Sequence, residues 1–213
     1  MKSRHFAVAL TGASGALYGL KLCSELLRSG ARLTMMISSA GEQVLAEECG
    51  LDWRGNEDAV ARRLREHFQA GEGEISFYGE DNLLAPVASG SSAPDAMVVC
   101  PCSMGTLARI AAGNSGNLPE RCADVMLKER RTLVMVPRET PLSAIHLENM
   151  LRLTRMGVRM IPAMPGFYHK PQSIDDLVGF VVGKVLDALD IEHALFRRWG
   201  VEAGTGTQMG LKD

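Results

Sequence analysis

The stretch Phe6–Gly19, FAVALTGASGALYG, decides the fold. Phe6, Ala7, Val8, Ala9 and Leu10 form a short apolar run, as expected of a parallel strand buried on both faces. Gly12 and Gly15 follow, and glycine lets the backbone turn tightly and approach a ligand closely. Ser14 stands where a helix would begin, so its hydroxyl and the neighbouring N–H groups are placed to hold an anion. This is the layout of a phosphate-binding βα turn. The question it raises is which phosphate compound is held.

A nicotinamide dinucleotide fits badly. Its fingerprint is G-x-G-x-x-G with an acidic residue about 20 positions on, at the ribose hydroxyl. Here the glycines are Gly12, Gly15 and Gly19, and the second apolar run, Arg32–Ile37, leads into Ser38 and Ser39. The short-chain dehydrogenase variant fails as well, because Ala16 and Tyr18 occupy its later glycine positions and no Tyr is followed four residues later by Lys.

Apolar runs alternate with helical patterns along the whole chain. Expected strands are Phe6–Leu10, Arg32–Ile37, Ala96–Cys100, Thr132–Val136 and Val158–Ile161. Expected helices are Gly15–Ser29, Ala40–Cys49, Glu57–Gln69, Met104–Ala112, Pro119–Glu129, Ser143–Met156 and Ile174–Leu189. Such alternation predicts an α/β fold: a Rossmann-like, three-layer sandwich with a parallel sheet, and a ligand crevice at the carboxyl ends of its strands. One domain over residues 1–200 is expected, with 201–213 a flexible C-terminal tail.

Composition narrows the function. The 213 residues carry a net charge of -2, which gives no general case for nucleic-acid binding. No apolar run reaches the ~20 residues of a membrane span, and no signal-type hydrophobic segment precedes the first strand. Five cysteines without disulfide-type spacing favour a reducing cytoplasm. Cys100-Pro101-Cys102 is the single close pair, and neither it nor the five histidines match a zinc-site spacing, so no metal is expected. The twelve methionines scatter through core positions and read as packing.

Polar residues gather after each expected strand. Thr11–Ser14, Ser38, Ser103–Thr106, Pro137–Thr140 and Pro162–Tyr168 all fall at the edge where such folds bind ligands. Each of these hydroxyls taken alone reads more readily as a helix N-cap. Arg138 is a fixed positive charge suited to a phosphate or a reduced ring. Ala88–Ser92 is a second Ser/Gly nest for an anion. Arg121 and Lys128 follow a turn-rich loop, and Glu48 and Glu139 are candidate proton-transfer carboxylates.

Taken in order, TGASGALYG, Ser38 with Glu48, the run 88–118 (ASGSSAPDAMVVCPCSMGTLARIAAGNSGNL), the run 120–142 (ERCADVMLKERRTLVMVPRETPL) and MPGFYHKP at 164–171 resemble the UbiX-type flavin prenyltransferases. The resemblance runs from Phe6 to about Trp199. It implies a flavodoxin-like Rossmann fold and a homododecamer with sites between subunits. It also implies transfer of a dimethylallyl unit from dimethylallyl phosphate to reduced FMN. The product, prenylated FMN, would serve a UbiD-type decarboxylase.

Carried onto this sequence, the resemblance assigns FMN binding to Gly12, Ala13, Ser14, Ser38, Ser103, Met104, Gly105, Thr106 and Arg138. It assigns Tyr168 and Lys184 to the donor, with Ser89, Gly90, Arg121, Lys128 and Glu139 around its phosphate. Trp199 matches a C-terminal aromatic over the prenyl group. Cationic side chains would stabilise the departing phosphate, and π faces an allyl cation. Ser14, Glu48 and Glu139 are the candidates for proton movement, with their roles undivided; Lys128 and Trp199 complete the catalytic set.

Two rivals remain, one from neighbouring chemistry and one, a non-catalytic FMN carrier or structural subunit of a decarboxylase complex, from a different class. A flavin-dependent cysteine decarboxylase would need an early catalytic His and an Asn in the segment Pro101–Thr106; His67 lies in a charged helical run, and the Asn is missing. A non-catalytic FMN carrier has no use for a second phosphate site such as Glu139, Lys128, Tyr168 and Lys184 would form.

Overall fold

The structure is a computed structural model and describes residues 3–200. The flexible C-terminal tail expected at 201–213 lies outside the described residues. Six strands make one sheet in the order β3-β2-β1-β4-β5-β6, and every neighbouring pair is parallel. They are β1 (His5–Leu10), β2 (Arg32–Ile37), β3 (Ile75–Phe77), β4 (Ala96–Cys102), β5 (Thr132–Pro137) and β6 (Arg159–Met160). The helices between and after them are α1 (Ala16–Arg28), α2 (Ser39–Cys49), α3 (Glu57–Phe68), α4 (Met104–Ala111), α5 (Leu118–Lys128), α6 (Ala144–Arg155) and α7 (Ile174–Ala188).

The two cores follow from side-chain alternation along the strands. Phe6, Val8 and Leu10 face one layer, in which Leu22 and Leu26 of α1, Leu64 of α3 and Val181 and Val185 of α7 are buried. Ala7 and Ala9 face the other, with Leu107 of α4, Cys122 and Met126 of α5 and Leu153 of α6. The helices therefore cover both faces, as the three-layer expectation requires. Because connections leave β1 in both directions, the crevice at the switch point lies between the carboxyl ends of β1 and β4.

Two details depart from the sequence reading. Strand β3 was not expected. It is three residues long and sits at the sheet edge just after Gly71 and Gly73, too short to show a period. Strand β4 runs two residues past Cys100, through Pro101. Proline removes a ladder donor, and a register shift between Val99 and Cys102 against β5 accommodates it.

Candidate active site

The β1–α1 turn is built from two close approaches. A Cβ on Gly12 would overlap the Ala40 methyl group at the start of α2, so only glycine lets these backbones meet. Gly15 caps α1 with φ 110°, a left-handed conformation that glycine adopts without strain. No side chain of the turn itself caps this helix. Glu48, near the end of α2, does so from outside. Its carboxylate accepts the Gly15 N–H at 3.1 and 2.9 Å and the Ala16 N–H at 2.9 Å. The anion held by this turn is thus a carboxylate of the same chain. The expectation that the Ser14 turn presents these N–H groups to a ligand is corrected on this point.

The surroundings of Glu48 fix its charge. Partial burial pushes its carboxyl up, but the Ser14 hydroxyl, the two N–H groups and the Arg138 guanidinium together outweigh burial and hold it below the ordinary range. Arg138, after β5, donates its Nε–H to the Ser14 carbonyl at 3.1 Å, and its own N–H bonds the Cys102 carbonyl at 3.4 Å. It thereby ties the ends of β5 and β4 to the first turn. Glu139, beside it, accepts the Thr140 N–H at 3.0 Å. Both line a cavity of about 70 Å³ with Pro137, Met150 and Met164.

The β4–α4 turn contributes hydroxyls. Ser103 caps α4, accepting the Thr106 N–H at 3.2 Å and donating its hydroxyl to Thr106 Oγ1 at 3.0 Å. The Ser103 N–H bonds Thr11 Oγ1 at 2.8 Å, and that hydroxyl donates to the Pro101 carbonyl at 2.9 Å. Thr11 is buried and fully used; it joins the first turn to this one, a role the sequence did not single out. Thr106 Oγ1 accepts from Ser103 and keeps its own proton to donate. The N–H groups of Met104 and Gly105, in the first turn of α4, have no partner inside the helix. Ser38 caps α2, accepting the Gly41 N–H at 3.1 Å, and it too keeps its hydroxyl proton. Gly12–Ser14, Ser38, Ser103–Thr106 and Arg138 therefore share the carboxyl edge of the sheet.

Apart from Glu139, which stands beside Arg138, the residues assigned to the donor fall into two groups. Tyr168, Lys184 and Trp199 meet in an aromatic cluster on the α1/α7 layer. The Tyr168 ring makes edge contacts with Phe180 at 5.7 Å and Trp199 at 5.2 Å. The Lys184 ammonium lies 5.6 Å from the Phe180 ring centre and 5.0 Å from that of Phe196. Trp199 is 79 % exposed, so one of its faces is free. His169, which the sequence reading passed over, stacks on Phe180 at 5.2 Å.

Ser89, Gly90, Arg121 and Lys128 sit on the opposite layer, with α5. Arg121 donates Nε–H to the Ala88 carbonyl at 3.2 Å and pairs with Asp124 at 3.1 Å. Lys128 pairs with Glu129, and a Cβ on Gly90 would stand 3.0 Å from its ammonium. The adjacent Ser91 and Ser92 line a cavity of about 470 Å³ with Arg4, His5, Arg32 and Arg131, residues at the amino ends of the strands. The sheet thus separates this group from Tyr168 and Lys184 within one chain.

No group of three or more side chains suited to a metal ion occurs among the described residues, and no helix there is long and apolar enough to cross a membrane.

Comparison with known proteins bears on this geometry. The family model described as Flavoprotein matches residues 1–186. The chain is 55% identical over 197 residues to the flavin prenyltransferase UbiX of Halalkalibacterium halodurans, covering 92% of this chain and 94% of that protein. Its fold superposes with a TM-score of 0.82 and 40% identity on AnUbiX (PadA1), solved in complex with FMN and dimethylallyl pyrophosphate, covering 95% of this chain and all of that one. A dodecameric FMN-dependent UbiX-like decarboxylase from Escherichia coli O157:H7 superposes at 0.79 with 41% identity, covering 89% of this chain and 96% of that one.

Proposed function

This chain belongs to the flavoprotein family and, within it, to the UbiX-type flavin prenyltransferases, and we propose that it joins the dimethylallyl group of dimethylallyl phosphate to N5 and C6 of reduced FMN, giving prenylated FMN for a UbiD-type decarboxylase. The observation that carries this reading is the pairing, in one fold, of a flavin-type crevice with a separate cationic and aromatic set.

The crevice fits the flavin nucleotide. Gly12 lets the first turn pack directly on Ala40 of α2, next to the Ser38 cap, and so draws these two turns together at the crevice. The free N–H groups of Met104 and Gly105 and the Thr106 proton form an anion seat at the start of α4, suited to the FMN phosphate. The α1 N-terminus is not that seat, because Glu48 occupies it. When bound, reduced FMN supplies the nucleophilic nitrogen and the ring carbon that receive the prenyl group.

The protein's own groups then divide the work. The Ser14 hydroxyl helps to hold the nearby Glu48 carboxyl below its ordinary range, so a proton arriving at Ser14 has Glu48 as its acceptor. Arg138 keeps the Ser14 carbonyl fixed and would offer positive charge to a reduced ring bound in the crevice. Trp199 and Tyr168 offer π faces to the cationic prenyl fragment, and Lys184 a charge to the departing phosphate.

Arg121, Lys128, Ser89 and Gly90 reach that phosphate only from another copy, since the sheet stands between them and Tyr168 in their own chain. This supports a site assembled between subunits of a homo-oligomer; the free cysteines, several of them buried, accord with a reducing cytoplasm. The test is anaerobic incubation with reduced FMN and dimethylallyl phosphate, followed by mass analysis of the flavin. A gain of one C5H8 unit is expected. Bound but unmodified FMN, under conditions where an established prenyltransferase succeeds, would refute the reaction.

A further inference from the structure

Arg109 lies in the last turn of α4, where a basic side chain ordinarily reaches the free carbonyls of the helix C-terminus. Here it folds the other way. Its Nη2 stands 3.3 Å from Thr106 Oγ1, and its Nη1 would stand 3.4 Å from a Cβ on Gly105. The guanidinium thus lies over the first turn of α4, beside the positive end of the helix, where a cation by itself is disfavoured.

A buried carboxylate holds it there. Glu120, in the first turn of α5, is 2 % exposed and accepts the Arg109 Nε–H. Its second oxygen takes the Gly116 N–H at 3.0 Å, which anchors the loop before α5. The Arg109 side chain remains 48% exposed, so its outer N–H groups are open. A pair serving only to tie α4 to α5 would need the Nε contact alone. The bond to Thr106 has a further consequence. Thr106 Oγ1 accepts from both Ser103 and Arg109, so its own proton stays available to a bound anion.

We propose that Arg109 is a further binding residue for the phosphate of the flavin nucleotide, and that Glu120 is the positioning residue that turns it toward the α4 seat. This inference rests on the reading of the α4 turn as the FMN phosphate site. The ligand chemistry it recognises is a phosphate monoester dianion, for which a guanidinium fork is the matching donor.

The experiment compares FMN with riboflavin, which lacks the phosphate, by fluorescence titration of the full-length protein and its variants. Arg109→Met is expected to raise the Kd for FMN about tenfold, the loss of one or two charge-assisted hydrogen bonds. The Kd for riboflavin should stay unchanged. Arg109→Lys should fall between, because an ammonium keeps the charge without the fork. Glu120→Gln should weaken FMN in the same selective way; Arg109 is half-exposed, so its variants keep the test decisive where a change at buried Glu120 prevents folding.

Unchanged FMN affinity in Arg109→Met would overturn the proposal, as would an equal loss for both flavins. A raised KM for dimethylallyl phosphate with FMN affinity intact would overturn it too, by assigning Arg109 to the donor. An unaltered protein that binds neither flavin would refute the flavin reading itself, and this inference with it.

Discussion

Replacing Glu48 tests whether the first turn of α1 is held by a carboxylate from another helix. Glu48 accepts two N–H groups that have no other partner, those of Gly15 and Ala16. Loss of an N-cap acceptor costs about 1 kcal/mol. A negative charge at a helix N-terminus adds roughly 0.3–1 kcal/mol when exposed. Glu48→Ala should therefore destabilise the fold by about 2 kcal/mol, and Glu48→Gln, which keeps a neutral acceptor, by about half of that. For a chain of this size the larger figure lowers the thermal midpoint by roughly 4–8 °C.

The pH dependence has a definite sign. The folded carboxyl titrates below its ordinary value, so its stabilisation is fully present above that ordinary value and is lost as pH falls through the depressed one. Denaturation curves of the parent and Glu48→Gln should differ at neutral pH and converge in acid. Equal stability of the parent and Glu48→Ala at neutral pH would refute the capping role. A gap that persists unchanged into acid would show that the charge of Glu48 contributes nothing.

Three other outcomes follow from the geometry. Gly12→Ala places a methyl group on that of Ala40; overpacking of this kind costs about 1–3 kcal/mol. FMN affinity should fall with it, and calorimetric titration showing parental affinity would place the flavin elsewhere. Arg138→Met removes a cation that helps to lower the Glu48 pKa, so the Glu48 titration, followed by NMR, should move upward. An unmoved titration would mean that Ser14 and the N–H groups suffice. Lys128→Ala and Tyr168→Phe should each abolish donor use alone, whereas oligomers mixed from the two variants should recover activity, because each shared site can then draw an intact residue from a different copy. Mixtures as inactive as their components would rule out sites built between subunits.

Much of this was legible from residue order alone. The two-sided apolar runs gave the parallel sheet, and five of the six strands lie where their runs predict. The exception, Ile75–Phe77, is too short to show a pattern and is made a strand only by pairing with β2. The serines after β2 and β4 were legible as caps or ligands, and the structure makes Ser38 and Ser103 caps that still keep or pass on a proton. A family resemblance across nearly the whole chain supplied the chemistry, which periodicity does not carry.

Residue order carries the local preferences: which runs are strands, where the glycines turn, which small hydroxyls stand at helix starts. These depend on neighbours a few residues apart. Partnerships across distance come from the packed fold. Glu48 reaches Gly15 over 33 residues and Arg138 reaches Ser14 over 124, and neither spacing has a period that marks it. The direction of Arg109 is of the same kind. Its place at the end of a helix predicts the C-terminal carbonyls, and a buried glutamate from the next helix turns it to the opposite end. Likewise no pattern along the chain reveals that Lys128 and Tyr168 lie on opposite faces of the sheet. That follows from which layer each helix joins, and long-range packing fixes the layers.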